Sequence, residues 1–142
     1  MATSALPAAR SGTDAGLVAF VGRILIAAIF VLSGLSKLTA PAATIGYIQS
    51  AGLPAPSIAY GVALLVELGG GILLIIGWKT RWVALAFFLW LIPTTLIFHK
   101  FWGIDAAQVQ NQFNNFMKNI SIMGAMWMLM GFGPGAYSVD KR

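Results

Sequence analysis

The sequence predicts an all-α, polytopic membrane protein, a bundle of four transmembrane helices with both termini in the cytoplasm. Three observations predict it. Hydrophobic residues make up 58% of the 142 residues and charged residues only 9%, where a soluble domain carries roughly a quarter charged residues, so water could not wet such a surface. Mean hydropathy is +0.83. The apolar residues are gathered into four runs, at residues 17–35, 58–78, 82–98 and 116–132. These features exclude a soluble globular enzyme.

Residues 1–16 are polar and rich in Ala and Ser, and read as a flexible cytoplasmic tail. Arg10 before an apolar run also resembles the beginning of a secretory leader. The run that follows is longer than a leader's apolar stretch and holds Arg23, so it reads as a span.

Crossing about 30 Å of hydrocarbon takes about 20 helical residues, with roughly 17 as the lower limit. The runs at 17–35 and 58–78 meet this comfortably, whereas 82–98 and 116–132 are at the limit. The last reaches it by including Lys118 and Asn119, which a Lys side chain allows by snorkelling to the interface.

Pro41, Pro54 and Pro56 make residues 37–57 an irregular loop in this reading. Trp78-Lys79-Thr80-Arg81-Trp82 reads as a tight hairpin, and residues 99–115 as a polar, amide-rich connection. Residues 133–142 form a second cytoplasmic tail.

An even number of spans puts both termini on one side. That side holds Arg10, Lys79, Arg81, Lys141 and Arg142, and the other holds Lys37, Lys100 and Lys118. Under the positive-inside rule the termini are cytoplasmic. The same scattered placement accounts for the net charge of +5 without nucleic acid, because no dense basic tract exists.

The chain has no Cys and a single His. This excludes disulfides, thiol relays, zinc–thiolate sites and cysteine-ligated iron–sulfur clusters, and a bis-histidine haem within one chain. No metal-ligating set is expected, nor any covalently bound cofactor. Met123, Met126, Met128 and Met130 scatter around their helix and read as core filler.

Charge within a span faces the bundle and finds a partner. Arg23 lies about 10 Å, and Glu67 about 16 Å, from the cytoplasmic ends of their spans. Arg23, Ala27, Phe30, Gly34 and Lys37 share one helical face, and Tyr60, Ala63, Glu67, Gly70, Gly71 and Leu74 another. Arg23 and Glu67 are therefore expected as a buried interhelical pair, either fixing helix register or exchanging protons.

At the outer end, Lys37, His99, Trp102, Gln112, Lys118 and Asn119 make a candidate ligand pocket. It suits an anionic head group, or the carbonyl oxygens of a quinone accepting hydrogen bonds from His, Lys or amide donors. Ordinary interface anchoring by Trp and Lys accounts for the same residues. Pro93-Thr94-Thr95 signals a kink in the third span.

Four stretches, in order, resemble the DoxX family of small bacterial membrane proteins. They are Gly22-Arg23-Ile24-Leu25 leading into residues 30–38; Glu67-Leu68-Gly69-Gly70-Gly71; His99-Lys100-Phe101-Trp102; and residues 112–119, ending in Lys118-Asn119. The resemblance implies a four-helix bundle in the bacterial inner membrane, a link to membrane redox complexes, and a family site at Arg23, Lys37, Glu67, His99, Lys118 and Asn119.

The leading expectation is a membrane subunit of a quinone-linked oxidoreductase, without a redox centre of its own. A non-catalytic anchor or assembly subunit is the alternative, followed by a carrier of small solute, lipid or protons. The partners expected are the lipid bilayer and other membrane or redox-complex subunits or further copies of the chain.

Overall fold

The computed structural model of the chain describes residues 12–141. Among them every regular element is helical and there is no strand. The expected tail at residues 1–16 lies mostly outside the described residues, and its last five belong to the first helix. Helix α1 spans Gly12–Thr39, α2 Pro41–Ser50 and α3 Pro56–Leu64. A π-helical turn at Leu65–Gly69 leads directly into α4, Gly70–Ile76. Helix α5 spans Thr80–Phe98 and α6 Ala106–Phe132.

Ala15–Thr39, Pro56–Ile76 and Thr80–Phe98 are long and apolar enough to cross a membrane. Helix α6 is longer than the last two at 27 residues, but Asn115, Lys118 and Asn119 interrupt its apolar part and keep it out of that set.

Two of the expected connections are corrected. Residues 37–57 are not an irregular loop, because Pro41 and Pro56 each open a helix. In the first turn a proline's missing N–H has no intrahelical partner to lose, and its fixed φ suits the helix. Residues 99–115 are not a connection throughout, because α6 begins at Ala106, ten residues before its apolar run. Hydropathy marks where a helix meets lipid, and the amides of residues 106–115 continue the helix beyond that point.

The α4–α5 turn is the tight hairpin expected. Gly77 closes α4 in the left-handed region, at φ +70°, with its N–H bonded to Leu73 O at 2.9 Å. This is the usual glycine stop. A Cβ at Gly77 would also overlap the Arg23 guanidinium and Ser138. Residues 133–141 are no free tail. Val139 N–H donates to Ile76 O at 3.1 Å and Asp140 N–H to Gly77 O at 3.0 Å, while the Asp140 carboxylate accepts from Lys79 N–H at 2.9 Å and Thr80 N–H at 2.8 Å. The last residues are thus folded against the hairpin.

The order of packing is α1 on the π turn and α4, α4 on α5, and α5 along α6, with α1 and α6 barely touching. The core lies between these helices. Phe30 and Phe87 stack with centroids 3.9 Å apart, surrounded by Ala27, Leu74, Ala84, Leu91 and Met126. Gly71 lets α1 approach α4 there, since a Cβ would stand only 2.8 Å from Val31 Cγ2. Both expected faces do turn inward: Arg23, Ala27, Phe30 and Gly34 are buried on α1, as are Ala63, Glu67, Gly71 and Leu74 opposite. Helix α5 runs without a break through Pro93, where the Thr94 hydroxyl donates to Trp90 O at 2.8 Å.

Candidate functional site

Arg23 and Glu67 are not paired. In an α-helix each Cα–Cβ bond tilts toward the helix N-terminus, so α1 carries both of its inward-facing cations toward Gly12. For Arg23 that direction leads away from Glu67. Its guanidinium reaches the C-terminal carbonyls of α4, donating to Leu74 O at 2.9 Å and Ile75 O at 3.3 Å, and also to Tyr137 O. A cation at a helix C-terminus meets the negative end of the helix dipole, and the fork of donors satisfies orphan carbonyls. Arg23 is completely buried.

For Lys37 the same tilt leads to Glu67. Lys37 Nζ donates to Glu67 Oε2 at 2.7 Å and to Ser33 Oγ, one turn back on α1, also at 2.7 Å. The Glu67 side chain is 9% exposed and that of Lys37 24%. Glu67 sits at the centre of the π turn Leu65–Gly69. A π turn inside an α-helix is uncommon and is found often at functional sites. An unpaired carboxylate at this depth would be costly, and Lys37 supplies its counter-ion.

The pair forms one wall of a cavity at the Thr39 end of the bundle. Its inner part, about 160 Å³, is lined by Ser33, Lys37, Glu67, Trp90, Thr94 and His99 together with Lys118 and Asn119. It continues into a chamber of about 600 Å³ under α2, where Ala43, Tyr47, Ile48, Ala59 and Phe98 add apolar walls. Ligand cavities are commonly about 300–1,000 Å³, mostly apolar, with a few convergent polar groups. Lys37, Glu67, His99, Lys118 and Asn119 thus meet at one cavity although they come from four separate helical segments.

The remaining two candidates divide. Gln112 lies behind the cavity, its Oε1 3.1 Å from His99 Nδ1. The contact engages Nδ1 and orients the ring, which lines the cavity. Trp102 does not line the cavity. It is 51% exposed and packs edge-on against Phe101 and Phe116, as an interfacial anchor does.

Asn119 is fixed by a hydrogen bond from its Nδ2 to Thr95 Oγ1 at 3.0 Å, which ties α6 to α5 beside the cavity. Lys118 Nζ donates to Asn115 Oδ1 at 2.8 Å. An ammonium has three protons to donate. One remains on Lys37 and two on Lys118 beyond these bonds. Lys37 and Lys118 against Glu67 give the site an excess of positive charge, suited to an oxygen that carries partial or full negative charge.

Ser33, Trp90 and Thr94 belong to the site without having been singled out in the sequence. Ser33 is four residues before Lys37, and Trp90 four before Thr94, so each pair shares a helical face. That spacing was the signal available.

The DoxX family model matches residues 18–100, more than half of the chain. The chain belongs to the DoxX family. Two relatives from Escherichia coli (strain K12) are similar over nearly their whole length. Inner membrane protein YphA is 34% identical over 131 residues, covering 92% of this chain and 94% of the relative. Inner membrane protein YqjF is 34% identical over 128 residues, covering 90% and 92%. A Surfeit locus protein 4 homolog from Schizosaccharomyces pombe is 29% identical over 72 residues, 49% of this chain and 24% of that protein. No solved structure matches the chain significantly. With its apolar helices, this DoxX protein is a multi-pass protein of the bacterial inner membrane. The family match covers Arg23, Lys37, Glu67 and His99, while Lys118 and Asn119 lie beyond it on α6.

Proposed function

We propose that this DoxX protein is a membrane subunit that binds a quinone, or an amphiphile with a similar oxygen-bearing head, and serves a quinone-linked oxidoreductase complex. The observation that carries the reading is the cavity in which Lys37, Glu67, His99 and Lys118 converge above an apolar chamber. The free protons of Lys37 and Lys118 suit a quinone carbonyl, and His99 Nε2 suits the hydroxyl of the reduced form. Trp90 and Phe98 offer aromatic walls to a ring. In this reading Lys37, Glu67, His99 and Lys118 bind and orient the quinone, and a partner subunit supplies the electrons.

Four spans with cytoplasmic termini are part of the proposal. Helix α6 supports the fourth, because it lies along α5 from Asn119 against Thr95, through Trp127 against Phe88, to Met130 against Arg81. The basic residues Lys79, Arg81 and Lys141 at the terminal end support the orientation.

The test is purification from the native membrane in mild detergent, with mass spectrometry of co-purifying proteins and extracted small molecules. A redox partner together with quinone is expected. Quinone lost from His99→Ala and Lys118→Ala, with the fold intact, places it in this cavity. A partner without quinone sinks the quinone reading in favour of an anchor subunit. Neither partner nor quinone leaves a carrier as the next reading.

A further inference from the structure

The helices form an open horseshoe. Helix α1 meets the π turn and α4, and α5 meets α6, but α1 and α6 barely touch. Three cavities lie in series along this seam. One of about 370 Å³ at the Gly12 end is lined by Gly22, Ile26 and Ala125 among others. A second of about 470 Å³ shares Ile26 and Ala125 with it and continues to Ile29, Ile122 and Lys118. The third, of about 160 Å³, shares Ile29, Ile122 and Lys118 with the second and is the polar cavity holding Lys37 and Glu67. From Gly22 to Lys37 the seam is about 22 Å long, at 1.5 Å per helical residue. Its walls are mostly apolar and partly small; Arg23 borders the Gly12 end with its guanidinium bonded to the carbonyls of Leu74, Ile75 and Tyr137, and Lys118 stands at the other end with donors to spare.

Resting on the amphiphile-binding reading above, we infer that the α1–α6 seam is a lateral groove for the hydrocarbon tail of the same molecule whose head occupies the Lys37–Glu67–His99–Lys118 cavity. The continuity of the cavities carries this. A long-tailed molecule dissolved in the bilayer reaches a polar cavity only if its tail can remain in an apolar environment, because exposing apolar surface to water is unfavourable. A cavity closed on all sides but the aqueous end would force the tail through the headgroup layer. A seam open along the bundle's side lets the head slide between α1 and α6 to Lys37 while the tail stays within the leaflet. A second copy of the chain offers no matching head group to the Lys118 end of the seam, and a tail attached to the head does.

The experiment uses the full-length protein in liposomes and two probes. The first is a benzoquinone with a sixteen-carbon tail, long enough to run most of the seam, ending in a photoreactive diazirine, and the second is the same quinone without a tail, added as competitor. The tail is expected to crosslink to α1 between Gly22 and Ile29 and to α6 between Ile122 and Ala125. Ala125→Phe and Gly22→Leu are expected to reduce those crosslinks at least tenfold while leaving tailless quinone binding within twofold. Gly22 lines the groove and has no heavy atom within 4 Å of where a Cβ would stand, so the side chain of Gly22→Leu starts in open space and grows into the groove. Crosslinks that map to α2 and α3, or to no part of the seam, overturn the groove even if tailless quinone competes. Crosslinks within the seam that tailless quinone fails to displace keep the groove and overturn the head site.

Discussion

Lys37 and Glu67 stand thirty positions apart in the chain and meet at 2.7 Å, joining the end of α1 to the only π turn among the described residues. The bond closes a small network, because Lys37 also donates to Ser33 and its own carbonyl accepts from the Tyr60 hydroxyl at 3.1 Å. A charge pair at this depth holds α1 and the second span in register. It also leaves the ammonium with one proton directed at whatever the cavity holds. Structure and recognition therefore draw on the same two residues.

Removing one partner of the pair is expected to harm more than removing both. Glu67→Gln leaves Lys37 with a weaker partner, and Lys37→Met leaves a buried carboxylate with none. The second is expected to cost about 3 kcal/mol, the lower end for breaking a buried pair, because Lys37 retains some access to water. The double variant Lys37→Met with Glu67→Leu should recover much of the loss. Thermal unfolding in detergent of the two single variants and the double checks this, and a double variant no more stable than Lys37→Met would contradict it.

Asn119 and Thr95 join α5 and α6 by a single buried hydrogen bond. Such bonds in membrane proteins average about 0.6 kcal/mol and reach about 1.7 kcal/mol. A double-mutant cycle of Asn119→Leu and Thr95→Val should give a coupling in that range. Because Asn119 also lines the cavity, its single variant should weaken ligand binding by more than Thr95→Val does. Equal effects on binding would show that the bond's role is confined to packing.

The carboxyl of Asp140 is held below its ordinary value of 3.8. Partial burial acts to raise it, but the N–H groups of Thr80 and Lys79, the Thr80 hydroxyl and the charge of Arg23 outweigh that effect. A carboxyl whose folded value is depressed stabilises the folded form fully above its unfolded value and loses that contribution as pH falls through the folded value. Docking of residues 138–141 against the α4–α5 hairpin should thus be constant from pH 7 to about 5 and weaken only below 3.8. Trp78 fluorescence in nanodiscs, followed from neutral to acid pH, reads this. Asp140→Asn should remove the step, and a step that survives the substitution would assign it to another group.

The first three spans were legible because apolar runs report lipid contact, and the inward faces of α1 and of the second span were legible from spacing by three and four. The partners of the buried charges were not. Counting residues gives the depth of Arg23 and Glu67, and a long side chain bridges the difference, so a pair between them is reasonable on depth alone. The backward tilt of side chains on α1 selects Lys37 instead. The π turn left no mark in the residues 65–69, and neither did the acceptors that α4 and Tyr137 present to Arg23. Those depend on where the chain ends meet, which residue spacing within one helix does not report. Trp102 reads equally well as an anchor or a pocket wall, and only its packing on Phe101 and Phe116 decides between them.

Arg23 makes a final prediction that separates charge from shape. Its guanidinium bridges α4 and the C-terminal segment, donating to Leu74, Ile75 and Tyr137, and Gly77 is required so that it fits. Arg23→Lys keeps the charge near the helix terminus but replaces a planar fork by a point donor on a shorter stem. It should retain the α1–α4 contact in part and lose the bond to Tyr137. Arg23→Met removes the charge as well and leaves three carbonyls without this donor, each a loss of about 1–3 kcal/mol if water cannot reach it. Limited proteolysis at Lys141 should accelerate for both variants, while the melting temperature should fall clearly more for Arg23→Met than for Arg23→Lys. Equal melting temperatures with equal proteolysis would mean that the fork, and not the charge at the end of α4, supplies the whole of Arg23's contribution.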